Sequence, residues 1–338
     1  MSRLFRDVEG GPRCPHGSVV CIGAFDGLHL GHQALVRHAR DRARALGVPC
    51  VVLSFEPLPR EFFAPNDPPP RLMLPRAKAE RLLSTSAGAM GVDQLGLLRF
   101  DRRLSSLTAE EFVRAVLVHR LSAREVWVGP EFRFGKARAG DIALLRAMGQ
   151  EHGFVAGEIE PVLLDGERVS ATRIREALRA GDFATAARFL GRPYAIGGHV
   201  VPGKQLGRTL GFPTANLRFG GRTPALSGIY ATWVHGVGEH PHASVSSLGT
   251  RPTVDGVEPL LEAHLFDFDG DLYGRRIEVE FVAKLRDELK FSDLPSLTAQ
   301  MHRDAVQARA ILGVPASSAA AHEPARTSAE SPQTAAQR

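Results

Sequence analysis

The chain has 338 residues, 43% of them hydrophobic and 23% charged, with a formal net charge of +5. Those fractions exclude wholesale disorder, and at ~150 residues per domain the length predicts two domains, each able to bury its own core. No apolar run reaches the ~18 residues that cross a bilayer, and the opening MSRLFRDVEGG lacks the apolar stretch of a secretory leader.

The first half alternates strands and helices. Ser18–Ala24 reads as a strand, and His32–Leu46 follows with helical periodicity up to Gly47. Cys50–Phe55 is a second buried-type strand, Asn66–Arg71 a loop, Arg76–Ala89 a helix and Gln94–Phe100 a strand. Thr108 and Glu111 form a capping-box pair opening a helix to about His119. Glu125–Gly129 is a strand, Gly140–His152 a helix and Thr172–Arg179 a helix preceded by Ser170, and Asp182 caps a short last helix. This order predicts a parallel sheet covered on both faces, an α/β domain over residues 1–187.

From Tyr194 the texture changes to short strands broken by Gly and Pro: Ala195–Val201, Gly228–Val234, Leu260–Phe266 and Arg276–Ala283, closed by a helix over Leu294–Leu312. That predicts an antiparallel barrel or sandwich over residues 188–313, with Gly191–Pro193 as hinge. Residues 314–338 are a disordered tail by composition, since Pro315–Arg338 contains no Val, Ile, Leu, Met, Phe, Tyr or Trp. Cys14, Cys21 and Cys50 are odd in number and not in CxxC spacing, which argues against a disulfide framework or zinc ribbon and for a reducing cytoplasm. The Lys and Arg residues are scattered, so small phosphate-bearing ligands are expected rather than nucleic acid or a membrane surface.

Residues 23–32 read GAFDGLHLGH directly after the first strand. A strand running through a Gly-rich turn into a helix presents free N–H groups at the positive helix end, a seat for a phosphate chain. His29 and His32 share one side of that helix start and can donate to phosphate oxygens, while Gly23, Gly27 and Gly31 permit close approach. A plain turn with two surface histidines, or a metal-binding histidine pair, are the alternatives for these residues alone. No G-x-x-x-x-G-K-[ST] sequence is present, so this is no P-loop.

In the second half, GKQLGRTLGFPTANL at 203–217 has flexible points at Gly207 and Gly211, and Pro213 leads into Thr214 and Asn216. Alternation puts Thr214 and Asn216 on one face of an extended segment, where two neutral oxygens can complete the shell of a hard Mg²⁺. A plain loop-to-strand junction is the alternative. In LLEAHLFDFDGDLYGRRIEVEF at 260–281, Glu262, His264 and Phe266 alternate with Leu261, Ala263 and Leu265 as in a half-exposed strand, and a carboxylate there can take a proton from an attacking hydroxyl. Asp267, Asp269 and Asp271 lack the downstream glutamate of a calcium loop and read as a solvated acidic turn.

The motif GxFDGxHxGH resembles the signature of the bifunctional riboflavin kinase/FMN adenylyltransferase family, the prokaryotic FAD synthetases. SFEPLPREFF at 54–63, VGPEFRFGKARAGD at 128–141 and RVSATRIREAL at 168–178 match the adenylyltransferase half in order. GRTLGFPTAN, SGIYA at 227–231, SLGTRPT at 247–253, LEAHLFDFDGDLYG and LRDELKF at 285–291 match the kinase half. The resemblance implies a Rossmann-like nucleotidylyltransferase domain followed by a small antiparallel β-barrel with a C-terminal helix. It implies phosphorylation of riboflavin to FMN and adenylylation of FMN to FAD, both from ATP with Mg²⁺. His29 and His32 would then stabilise the triphosphate, with Phe25, Asp26, Arg168, Ser170, Thr172 and Arg175 completing the ATP site. Glu131, Phe132 and Arg133 fall in a flavin or nucleotide loop. Arg208 joins Gly207, Gly211 and Pro213 in the kinase ATP loop, Thr214 and Asn216 hold Mg²⁺, and Glu262 is the base for the riboflavin 5′-hydroxyl. Arg286, Glu288 and Phe291 shape the flavin side. The sequence departs from the family pattern at Leu58, Glu131 and Ala171, where the family carries His, Asp or Asn, and Ser.

Overall fold

The computed structural model describes residues 3–203, 206–253 and 256–315, so the proposed tail lies outside the described residues apart from its first two positions. The first half holds strands β1 (Leu4–Phe5), β2 (Ser18–Ile22), β3 (Cys50–Glu56), β4 (Gln94–Arg99), β5 (Ala123–Val128) and β6 (Val155–Glu158). They pair in the order β1-β4-β3-β2-β5-β6, and all these pairings are parallel. The run SVVCI of β2 is buried throughout because the sheet is covered on both faces: Val20 and Ile22 enter one core cluster, Val19 and Cys21 the other.

The covering helices are α1 (Leu30–Leu46), α2 (Pro59–Phe63), α3 (Pro75–Leu83), α4 (Arg102–Ser106), α5 (Ala109–Phe112) and α6 (Ile142–His152). The Thr108–Glu111 capping box forms as expected, with the Glu111 N–H donating to Thr108 Oγ1 at 3.1 Å and the Thr108 N–H to Glu111 Oε2 at 2.8 Å. Helix α5 then runs on as a π-helical stretch, Val113–Arg120. The helix expected over Arg76–Ala89 stops at Leu83: Ser84 adopts an extended backbone, and the Met90 N–H returns to the Arg81 carbonyl.

A short hairpin of β7 (Leu163–Leu164) and β8 (Glu167–Arg168) precedes α7 (Ala171–Arg179) and α8 (Phe183–Leu190), capped by Ser170 and Asp182. These helices pack into one core with the barrel, where Phe183 meets Tyr230 and Phe281.

The second half holds β9 (Ala195–His199), the short α9 (Leu206–Thr209), β10 (Ala215–Arg218), β11 (Gly228–His235), β12 (His242–Thr253), β13 (Gly256–Leu265) and β14 (Arg276–Arg286), then α10 (Leu294–Leu312). Its sheet runs β10-β13-β12-β11-β14-β9, with every pairing antiparallel. A bridge between Val201 and Asn216 brings its two edges together and nearly closes the barrel. Strand β12 has no counterpart in the expected strands, because Gly249 and Pro252 break its pattern.

Candidate active sites

In the first half the chain leaves β2 and crosses residues 23–29 to α1, which begins at Leu30 with His29 as its N-cap. Phe25, Gly27 and Leu28 all take positive φ (49°, 77° and 48°); for Phe25 and Leu28 this is a strained conformation of the kind that clusters at functional sites. An added Cβ at Gly27 would meet Leu72 side-chain atoms at 3.0–3.1 Å, so this glycine serves both the turn and the packing.

His29 Nδ1 accepts the His32 N–H at 3.3 Å, which leaves the proton of the neutral ring on Nε2, ready to donate to a ligand. The two imidazoles stack with centroids 3.6 Å apart. Burial, and then the charges of Arg175, Arg168 and Arg192, lower the His29 pKa to about 4. His32 is held well below its ordinary value by burial, by His29 and by Lys78. His32 Nδ1 is buried without a hydrogen-bond partner. Both rings are therefore neutral donors at pH 7, and a polyanion beside them would draw protons onto them.

The segment from Arg168 to Arg175 reaches the same place: an added Cβ at Gly31 would lie 3.2 Å from His29 and 3.7 Å from the Val169 carbonyl. Ser170 caps α7 by accepting the Arg173 N–H at 3.2 Å, and Thr172 is exposed in the first turn. Arg168 reaches across to Glu131 at 3.0 Å. Glu131 stands at φ 63°, while Arg133 pairs with Asp141 and Phe132 stacks on Phe134. Asp26, expected on the ATP side, is turned inward. It is 2% exposed and accepts the Leu72 and Met73 N–H groups at 3.1 Å and the Arg175 guanidinium at 2.5 Å. Arg175 also donates to the Pro70 carbonyl at 2.6 Å, so Asp26 and Pro70 aim it beside the histidines. Leu58 is buried at the N-cap of α2, where Glu61 receives its N–H at 2.8 Å.

Sequence reasoning missed the supports of this turn. Buried Lys78 on α3 donates to the Ala24 carbonyl at 2.7 Å and to Ser54 Oγ at 3.1 Å. Arg192, read only as hinge, donates to the Gly27 carbonyl at 2.7 Å and more loosely to those of Leu28 and Leu190. Gln33 Nε2 donates to Leu28 and Leu190 at 2.9 and 2.8 Å. The only advance signal was a lysine inside a helix otherwise expected to be amphipathic.

The second half holds a cavity of about 270 Å³ lined by Gly207, Phe212, Thr214, Glu262, Arg286, Glu288 and Phe291 among others. The side chain of Arg208 lies outside the described residues. The α9 turn is pulled tight by the Phe212 N–H donating to the Gly207 carbonyl at 2.7 Å, and a Cβ at Gly207 would clash with the Phe212 carbonyl oxygen at 2.3 Å. Asn216 on β10 pairs in register with Glu262 on β13, and Glu262 with Ser247 on β12. The side chains of β13 alternate as expected up to its end: Leu261, Ala263 and Leu265 are buried, Glu262 and His264 partly open; Phe266, expected on the open face, lies just past the strand and is buried in a core cluster instead. Asn216 donates to the Thr214 carbonyl at 3.2 Å, yet its own Oδ1 is buried with no partner. A buried oxygen without a donor suits a cation, so the residues present fit Mg²⁺. Among the described residues no cluster of three His, Cys, Asp or Glu could hold a metal without the ligand's own oxygens.

The sequence assigns no role to two neighbours: His264, placed only on the strand face, and Asp304. His264 Nδ1 donates to the Pro213 carbonyl at 2.9 Å and its ring packs on Phe212 at 4.9 Å, which fixes the approach to Thr214. Asp304 on α10 is 4% exposed and grips Arg286 at 2.6–3.1 Å. Glu288 lies over the Gly249 backbone, and burial with the nearby Glu262 charge raises its pKa.

Fold and sites together define a two-site nucleotide-dependent transferase: a strand–turn–helix phosphate seat on a parallel sheet, then a barrel whose cavity is lined by Thr214 and the Glu262 carboxylate, with Asn216 in register beside Glu262. The FAD synthetase family model matches residues 11–173 and the riboflavin kinase model residues 190–312. The bifunctional riboflavin kinase/FMN adenylyltransferase of Escherichia coli strain K12 is 42% identical over 313 residues, covering 92% of this chain and 98% of that protein. That of Pseudomonas fluorescens is 46% identical over 296 residues, 87% and 93% of the two chains. A crystal structure described as a macrolide-efflux protein from Streptococcus pneumoniae superposes with TM-score 0.70 at 32% identity, covering 89% of this chain and 96% of that one. The chain belongs to the bifunctional riboflavin kinase/FMN adenylyltransferase family.

Proposed function

We propose that the chain makes FAD from riboflavin in two ATP-dependent steps, with the division of labour falling near residue 187. In the barrel, the riboflavin 5′-hydroxyl attacks the γ-phosphorus of ATP, giving FMN and ADP. In the first half, the FMN phosphate attacks the α-phosphorus of a second ATP, giving FAD and pyrophosphate.

The two nucleophiles demand different sites. An alkyl hydroxyl needs a base, and Glu262 stands on the cavity wall in register with Asn216 to take its proton. A phosphate is already ionised, so its attack needs positioning and charge neutralisation rather than a base. The His29 and His32 donors, with Arg175 held beside them by Asp26, supply that. Mg²⁺, when bound, would offset triphosphate charge; Thr214 and the partnerless Oδ1 of Asn216 are the residues to hold it. Arg286, steadied by Asp304, Glu288 and Phe291 form the flavin side of the cavity. In the adenylylating site we assign Glu131, Phe132 and Arg133 to the rim facing Arg168, and Ser170 and Thr172 to the helix start that meets the phosphates.

The observation that carries this reading is the pairing of both machineries, His29/His32 and Asn216/Glu262, in one chain that matches both family models. No helix among the described residues is long and apolar enough to cross a membrane, and the buried free cysteines Cys14, Cys21 and Cys50 suit a reducing cytoplasm. The test is incubation with riboflavin, ATP and Mg²⁺ followed by separation of products. FAD is expected. FMN alone would reduce the protein to a kinase, and no product would leave it a flavin binder.

A further inference from the structure

Lys78 and Arg192 have no carboxylate within ion-pair distance among the described residues. They come from separate parts of the chain, α3 and the segment joining the two halves, and converge on the same turn. Every hydrogen bond each donates goes to a neutral oxygen: Lys78 to Ala24 O and Ser54 Oγ, Arg192 to Gly27 O, Leu28 O and Leu190 O. Gln33 doubles the hold on Leu28 O.

In a trans peptide the C=O and the following N–H point in opposite directions. Pulling the carbonyls of Ala24, Gly27 and Leu28 into the protein therefore turns the N–H groups of Phe25, Leu28 and His29 outward. The positive φ of the non-glycine residues Phe25 and Leu28 is the strain this path costs, and it persists only if the surroundings hold it. We propose that Lys78 and Arg192 are positioning residues for adenylyl transfer: they pin the turn's carbonyls inward so that its N–H groups face the ATP triphosphate, and they lend positive charge beneath it. Burial lowers Lys78 to about 8 and Arg192 to about 10, the mark of cations that a docked polyanion would stabilise. Arg192 also makes the turn answer to the segment that leads into the barrel. The inference rests on the first half being the adenylylating site.

The experiment compares full-length K78M, R192Q and R192K with the unaltered protein. KM for ATP and for FMN in FAD formation, the inhibition constant of inorganic pyrophosphate, and FMN formation from riboflavin are all measured. K78M and R192Q should raise KM for ATP and the pyrophosphate constant ~10-fold or more, as expected for losing a charged hydrogen-bond donor. KM for FMN and the kinase rate should stay within about two-fold, and R192K should recover part of the loss. Unchanged KM for ATP with only a lowered kcat, or an equal rise in KM for FMN, would overturn the assignment. If K78M does not fold, R192Q decides, because the half-buried Arg192 leaves no void in the sheet core. FAD formation failing in the unaltered protein would instead strike the reading of the site itself.

Discussion

Replacing Asp26 with asparagine tests how the first site is built. The carboxylate is 2% exposed and accepts two backbone N–H groups and the Arg175 guanidinium. Asparagine keeps the shape and one acceptor oxygen but offers an amide where the guanidinium needs an anion. Breaking one partner of a buried ion pair costs ~3–5 kcal/mol when the other charge is left uncompensated. Arg175 keeps the Pro70 carbonyl and 13% side-chain exposure, so about 2–3 kcal/mol is the expected loss. The two tryptophans fall one to each half, Trp127 on β5 and Trp233 on β11. Urea unfolding of a Trp233→Phe background, followed by Trp127 fluorescence, therefore reports the first half alone. With m of ~2 kcal/mol per molar, the D26N midpoint should fall by about 1 M. FAD formation should drop with it while FMN formation holds. An unshifted midpoint and unchanged FAD formation would refute the role of Asp26 as the anchor of Arg175.

The remaining predictions concern the proposed catalytic groups and pH. His29→Ala should lower FAD formation ~10²-fold or more and spare FMN formation, read by product chromatography; equal loss of both would contradict the split of labour. Glu262→Gln should abolish most FMN formation from riboflavin yet leave FAD formation from supplied FMN intact. His29 folds with a pKa of about 4 against ~6.5 unfolded, so between those values the unfolded chain binds more protons. Its contribution is fully present above pH ~6.5 and fades as pH falls towards 4, about 3 kcal/mol for this group. The first-half urea midpoint should fall over that window, and His29→Gln should flatten the fall. Titration calorimetry at pH 6 in buffers of different ionisation enthalpy should show proton uptake when ATP binds, since the polyanion raises the pKa of the histidines; no uptake would mean that phosphate does not reach them.

What the sequence disclosed follows local rules. The turn 23–32 and the capped start at Ser170 were legible because N-caps and Gly-rich turns are written within a few residues. Alternation around Glu262 was legible for the same reason and is observed in β13. Lys78, Arg192 and Asp304 were not, because each matters through an atom remote in sequence: Ala24, Gly27 and Arg286. Asp26 was assigned to the nucleotide from its motif, whereas its partners Leu72, Met73 and Arg175 exist only once the chain has folded. Helix α3 was expected to run to Ala89 because Ala87 and Ala89 continue the apolar pattern past Ser84, where the backbone turns to bring Met90 back to Arg81. Nor do residues 171–190 read as barrel partners in sequence, although Phe183 packs on Tyr230 and Phe281.

The most direct test of two separate transfer sites follows the phosphorus atoms. With riboflavin and ATP labelled distinguishably at the α and γ positions, FAD from the unaltered protein should carry both labels. His29→Ala should accumulate FMN bearing only the γ label, and Glu262→Gln supplied with FMN should make FAD bearing only the α label. Alpha-labelled FAD at normal yield from His29→Ala, or γ-labelled FMN from Glu262→Gln, would contradict the account.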